Sequence, residues 1–191
     1  MPDLDSLLAD LLSGDESRAE SALPGLIALG AQALPALHEA GRSEGPDHRW
    51  WVVRALAESP EATSEHLLAF LQDPAPEVRQ AAALGLSAHL SEGAIPELVR
   101  SLYDPDSMVG SLASQALVKT GAACVPSLIQ VLSDAPQGTR ILALRALVEL
   151  KDHRAIPAMM KVIQEDSAVL GHWAQEGLER LGLNMVYIKP T

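Results

Sequence analysis

The stretch Pro76-Glu77-Val78-Arg79-Gln80-Ala81-Ala82-Ala83-Leu84-Gly85-Leu86, followed by Ala94-Ile95-Pro96-Glu97-Leu98-Val99, sets the reading of the whole chain. Ala82, Gly85 and Leu86 stand three, six and seven residues after Arg79, which places them on one face of a helix. The proline-led segment after it opens a second helix, because the first turn of a helix has no intrahelical acceptor for the N–H that proline lacks. Small residues at Ala82 and Gly85 imply that another element packs closely against that face.

Working outward, the pattern recurs six times. Segments starting at Asp5, Pro35, Glu65, Pro96, Pro126 and Pro157 are spaced by 30, 30, 31, 30 and 31 residues. Fourteen residues after each start stand Ala19, Arg49, Arg79, Gly110, Arg140 and Gly171. Seven further on stands a leucine every time: Leu26, Leu56, Leu86, Leu117, Leu147 and Leu178. The column before it holds only Gly or Ala, so the equivalent helix of the next repeat is expected to bring its backbone close there. A fixed period of this length marks a stacked array of helix pairs. The expected fold is all-α: a right-handed α-solenoid of six two-helix repeats, at about 3–32, 33–62, 63–93, 94–123, 124–154 and 155–182. One continuous domain over 1–191 is expected, with 183–191 as a capping tail.

On these residues the chain resembles HEAT-repeat proteins, and more narrowly the short bacterial repeats named after phycobilisome-linked (PBS) lyases. That resemblance implies the solenoid and leaves the task open, because the fold serves many.

Composition narrows the classes. Hydrophobic residues make up 48% and aromatics 3%, so the core is expected to be Leu, Ala and Val in close helix–helix packing. No apolar run reaches the roughly 20 residues of a membrane span, no secretory signal opens the chain, and a single Cys124 suits a reducing interior. A soluble, cytoplasmic protein is expected. A net charge of −11 without any run of Lys or Arg argues against nucleic acid and membrane partners.

Chemistry-bearing motifs are sparse. The six histidines are scattered over different repeats, with no pair at metal-ligand spacing. HEAT-repeat enzymes similar to deoxyhypusine hydroxylase hold two irons through repeated His-Glu pairs; here only His38-Glu39 occurs, on a first helix. Gly85-Leu86-Ser87 falls inside a helix, and Cys124 occupies a small-residue core position. No catalytic residue, metal site or cofactor is expected.

The columns opposite the buried face carry the remaining signal. On each second helix, residues two, five and nine after the landmark line the expected concave surface, the usual binding side of a solenoid. Trp51, Leu112, Leu142 and Trp173 stand in the first column, Arg54, Leu84, Gln115 and Arg145 in the second, and Arg180 in the third. Aromatics interleaved with arginine are enriched at binding hot spots. The leading expectation is a non-enzymatic scaffold binding a protein or peptide there, with packing of Trp51 and Trp173 between repeats as the alternative. The repeat subtype implies a second reading, a phycobilin-lyase-like subunit or chaperone for chromophore attachment, with Arg54 and Arg145 as propionate partners. A third is a structural subunit of a larger assembly. The apolar tail Met185, Val186, Tyr187 and Ile188 is expected to cap the last repeat or, as the sharper alternative, to mediate self-association.

Overall fold

Aspartate side chains cap some of the helices. The Asp3 carboxylate accepts the Ser6 N–H at 2.8 Å, Asp15 accepts that of Arg18 at 3.0 Å, and Asp106 accepts those of Met108 and Val109. Proline fills the first turn at Pro35, Pro46, Pro76 and Pro126. Gly30 and Gly121, with φ of 56° and 74°, stop two of the second helices in a backbone conformation that side chains resist.

The computed structural model describes residues 3–165 and 167–183. Its contacts divide it into two compact units, Met1–Ala94 and Ile95–Thr191. The first holds α1 (Leu4–Leu11), α2 (Glu16–Leu29), α3 (Leu34–Ala40), α4 (Pro46–Glu58), α5 (Ser64–Leu68) and α6 (Pro76–Leu86). The second holds α7 (Ile95–Ser101), α8 (Ser107–Thr120), α9 (Val125–Asp134), α10 (Gln137–Leu150), α11 (Ile156–Glu165) and α12 (Ala168–Arg180). No strand occurs among the described residues. In both units each odd-numbered helix packs on the even-numbered helix that follows it. The even-numbered helices also pack side by side, α2 on α4 on α6 and α8 on α10 on α12. The expected roles of Met185, Val186, Tyr187 and Ile188 fall on a tail that lies outside the described residues.

The repeat columns are the core. All six leucines of the column from Leu26 to Leu178 are at most 1% exposed, as is the small-residue column of Val52, Ala82, Ala113, Ala143 and Ala174. The Gly/Ala column is tight for a different reason from the one expected. A methyl group at Gly85 would stand 2.8 Å from the Ala57 Cβ and 3.2 Å from the Leu67 Cδ1. One at Gly177 would meet Met159 and Val148, each at 2.8 Å, and one at Gly25 would meet Leu7 at 2.7 Å. Side chains of the same repeat's first helix, and of the preceding repeat's second helix, press on these glycines. At Gly85 the backbone of that preceding helix is close as well, with the Ala57 Cα at 3.6 Å.

Two further departures are structural compensations. Gly41 stands where the other repeats carry a leucine or isoleucine, and the ring of Phe70 from the next repeat lies 2.7 Å from where its Cβ would be. Arg49 forms two bonds, of 2.6 and 2.8 Å, to the Asp73 carboxylate one repeat further on, and donates to the carbonyls of Ser43 and Glu44. Both side chains of the ion pair are nearly buried, 11% and 6% exposed. Burial pushes the Asp73 carboxyl up, but the Arg49 guanidinium, the Ala75 N–H and the charge of Arg79 together hold it below its ordinary 3.8.

Against the sequence expectation, one stretch, Ser107–Asp134, is long and apolar enough to cross a membrane by length and composition alone. It is not one uninterrupted α-helix: α8 ends at Thr120, a 3-10 turn runs from Gly121 to Cys124, and α9 begins at Val125. Of its apolar side chains, Val109, Ala113, Leu117, Val125, Leu128 and Leu132 are buried in the protein core, whereas Met108 is exposed.

Candidate functional site

Two arginine–tryptophan clusters arise from the columns singled out above, one in each unit. In residues 1–94, Trp50 and Trp51 meet edge to face, with centroids 5.0 Å apart at 87°. The Arg54 guanidinium lies 5.8 Å from the Trp50 ring and 5.2 Å from that of Trp51. Helical spacing explains the geometry, since Trp50 and Trp51 are four and three residues before Arg54 on α4. Glu58 accepts from Arg54 Nε at 3.0 Å and Glu20, from α2, accepts from its Nη2 at 3.3 Å. The Glu58 hydrogen bond raises the Arg54 pKa further, burial opposes it, and Glu20 adds to the rise.

This arrangement corrects one expectation. Trp51 is 9% exposed and belongs to the core, so it is not an open anchor for a partner. Packing against Trp50 and beneath Arg54 closes it. Leu84 stands out at 59% exposed, on a different helix of the same unit.

In residues 95–191 the same columns look different. Leu112, Leu142 and Trp173 on α8, α10 and α12 are half-buried, and Gln115, Arg145 and Arg180 are exposed. Leu142 packs against Gly110, where a Cβ would stand 3.0 Å from its Cδ1, and Ser114 donates to the Leu142 carbonyl. The Arg145 guanidinium lies 5.4 Å from the Trp173 ring, beside His172. Arg180 is tied to Glu176 one turn earlier. Trp173 is therefore only partly covered, and neither expectation for the tryptophan column holds for both members.

Charge divides along the same line. Residues 1–94 carry 15 acidic and 5 basic side chains, and residues 95–191 carry 10 and 9. The acidity of the chain is concentrated in its first half, a signal legible in the sequence once it is counted by halves.

Other chemistry is thin. Burial raises the pKa of the Cys124 thiol, which sits within 3.2 Å of the Leu117 and Gly121 carbonyls. A shallow polar depression is lined by Thr63, Ser64, Glu65, His89 and Ser91, with His89 Nε2 2.9 Å from the Ala57 carbonyl. Among the described residues no three His, Cys, Asp or Glu side chains gather as a metal site.

The chain is similar to known proteins over part or most of its length. HEAT repeats match over residues 64–124, and the PBS lyase HEAT-like repeat matches over 139–165. The bilin biosynthesis protein RpcF of Synechococcus sp. (strain WH8020) is 45% identical over 95 residues, 49% of this chain. The match spans 44% of that relative's length. Among solved structures, the complex of CpcE and CpcF of phycocyanin lyase from Nostoc sp. PCC7120 matches with a TM-score of 0.56 at 23% identity, over 95% of this chain and 78% of that one. The archaeal HEAT-like repeats protein from Thermococcus onnurineus NA1 matches at 0.62 and 15%, over 95% and 81%. At these identities the two structures establish the fold, an all-α HEAT-type solenoid of two-helix repeats. The likeness to a bilin biosynthesis protein overturns the expectation of a chain with no enzymatic role. The repeat columns record helix packing, so the lack of a catalytic motif in them carried no information about chemistry.

Proposed function

Because the chain is a HEAT-repeat protein with repeats of the PBS lyase type, we propose that it is a subunit of a bilin lyase-type enzyme that attaches an open-chain tetrapyrrole to an acceptor protein. The observation that carries this reading is the 45% identity over 95 residues with a bilin biosynthesis protein. The fold alone would not carry it, since solenoids of this kind serve many tasks. The likeness to a phycocyanin lyase structure that is a complex of CpcE and CpcF supports a protein partner. The half-buried surface of Leu112, Leu142 and Trp173 suits a flat conjugated ligand, and arginine suits its carboxylates. In this reading the chain's own residues bind and orient the tetrapyrrole and keep it from water while the acceptor approaches. A reducing cytoplasm is the proposed compartment.

Incubation of the protein with a bilin, an acceptor apoprotein and a candidate second chain tests this directly. Zinc-enhanced bilin fluorescence that stays on the acceptor through a denaturing gel, only when this chain is present, is the expected outcome. Unchanged bilin absorbance together with an unlabelled acceptor would overturn the proposal.

A further inference from the structure

Arg145 is an exception in this molecule. Among the described residues seven arginines hold a carboxylate. Arg79 holds the carbonyls of Asp73 and Pro74, and Arg140 is engaged as well. Among the described residues Arg145 meets no oxygen; its guanidinium lies over the Trp173 ring, 5.4 Å from its centroid.

The repeat explains why. Arg54, at the equivalent position of an earlier repeat, is neutralised from two sides. One partner is Glu20, in the column one residue after the landmark of the preceding repeat; the other is Glu58, four residues on. At Arg145 the first position is Ser111, which is uncharged and gives its hydroxyl to the Ser107 carbonyl. The second is Glu149, and Arg145 turns from it to the tryptophan. Glu176, in the next repeat, is already held by Arg180.

We propose that Arg145 and Trp173 form a carboxylate-anchoring site for a flat conjugated acid, and that the Arg54 cluster is the closed counterpart that binds none. The proposal rests on the lyase reading for the identity of the ligand and on the geometry for the site. A guanidinium stacked on an aromatic face keeps its N–H edge free, in the plane where a carboxylate bonds through both oxygens. The body of the ligand then lies on the half-buried side chains of Leu112, Leu142 and Trp173. Electrostatics favours the same half: an anion meets ten acidic and nine basic side chains in residues 95–191, against fifteen and five in residues 1–94.

Three probes test the assignment: biliverdin, its dimethyl ester, and 8-anilinonaphthalene-1-sulfonate, a flat anion that is not a tetrapyrrole. Each is titrated at low salt against wild type, Arg145→Gln, Arg145→Lys and Arg54→Gln, with melting temperatures confirming that all four are folded. Wild type is expected to prefer biliverdin over the ester by about tenfold, the order of a charge-assisted hydrogen bond. Arg145→Gln abolishes that preference, Arg145→Lys restores part of it, and Arg54→Gln leaves it intact. If biliverdin binds and the preference survives in Arg145→Gln, the lyase reading stands and this assignment falls. If biliverdin does not bind but the sulfonate binds in an Arg145-dependent way, the site stands and the tetrapyrrole reading falls. Failure of both anions to bind overturns the site.

Discussion

Trp51 with Arg54 and Trp173 with Arg145 occupy the same columns of the repeat, yet one cluster is sealed and the other open. In residues 1–94 the tryptophan is 9% exposed and two glutamates hold the arginine over it. In residues 95–191 the tryptophan is half-buried and its arginine has no oxygen partner among the described residues. Equivalence in a repeat fixes where a side chain starts. What surrounds it depends on the residues that the neighbouring repeats place beside it, here Glu20 against Ser111.

The largest expected effect separates the two tryptophans. Trp51→Ala should destabilise the protein by about 3–5 kcal/mol, as buried aromatic truncations do, and Trp173→Ala by less than about 2 kcal/mol. Urea unfolding followed by circular dichroism reads both, and equal losses would erase the distinction drawn here.

Next comes the ion pair. Asp73→Ala leaves Arg49 nearly buried beside an empty position and should cost about 3–5 kcal/mol. Asp152→Ala, which loses a pair with the exposed Arg154 and a cap on the Arg154 N–H, should lower the denaturation midpoint by clearly less than Asp73→Ala does. Acid separates them from wild type as well. The Asp73 carboxyl lies below its ordinary 3.8 in the folded state, so its contribution is complete above that pH and fades as pH falls through the lowered value. Asp73→Asn should therefore flatten the loss of stability between pH 5 and pH 2, within the roughly acidic window where such carboxylates titrate; a wild-type-like acid limb would count against the pair.

Glycines give a smaller contrast. Gly85→Ala must displace Ala57 or Leu67 and should cost about 1–3 kcal/mol. Gly171→Ala meets nothing within 4 Å on α12 and should stabilise by about 0.5–1 kcal/mol. A pair of thermal melts decides it, and a destabilising Gly171→Ala would show that something packs on that face.

The smallest effect is expected at Lys151. It stands in the column of Gly30 and Gly121 with φ of 52°, a left-handed conformation that side chains disfavour. Lys151→Gly should raise stability by up to about 1 kcal/mol in the same melts. A clear decrease would mean that the lysine side chain contributes more than its backbone conformation costs.

Much of this was legible in the columns. A leucine at every Leu26-equivalent position and small residues beside it admit one arrangement, helices on helices, and the burial of those columns follows. The compensations were not legible. Gly41 is a blank in a leucine column until Phe70, 29 residues later, is found against it. Glu58 could be read as a partner of Arg54 from its spacing of four, but Glu20 lies 34 residues away. The likeness to a bilin protein corrected the reading of function because a packing pattern is silent about what its surface does.

The sequence by itself determined the period, the helix pairs, the core columns and the acidity, since each depends on spacing or composition. Only the tertiary structure decided which tryptophan is covered and which arginine is left without an oxygen among the described residues. Those outcomes depend on side chains from different repeats competing for the same guanidinium at distances of about 3 Å, as at Arg54. A linear pattern does not contain that competition.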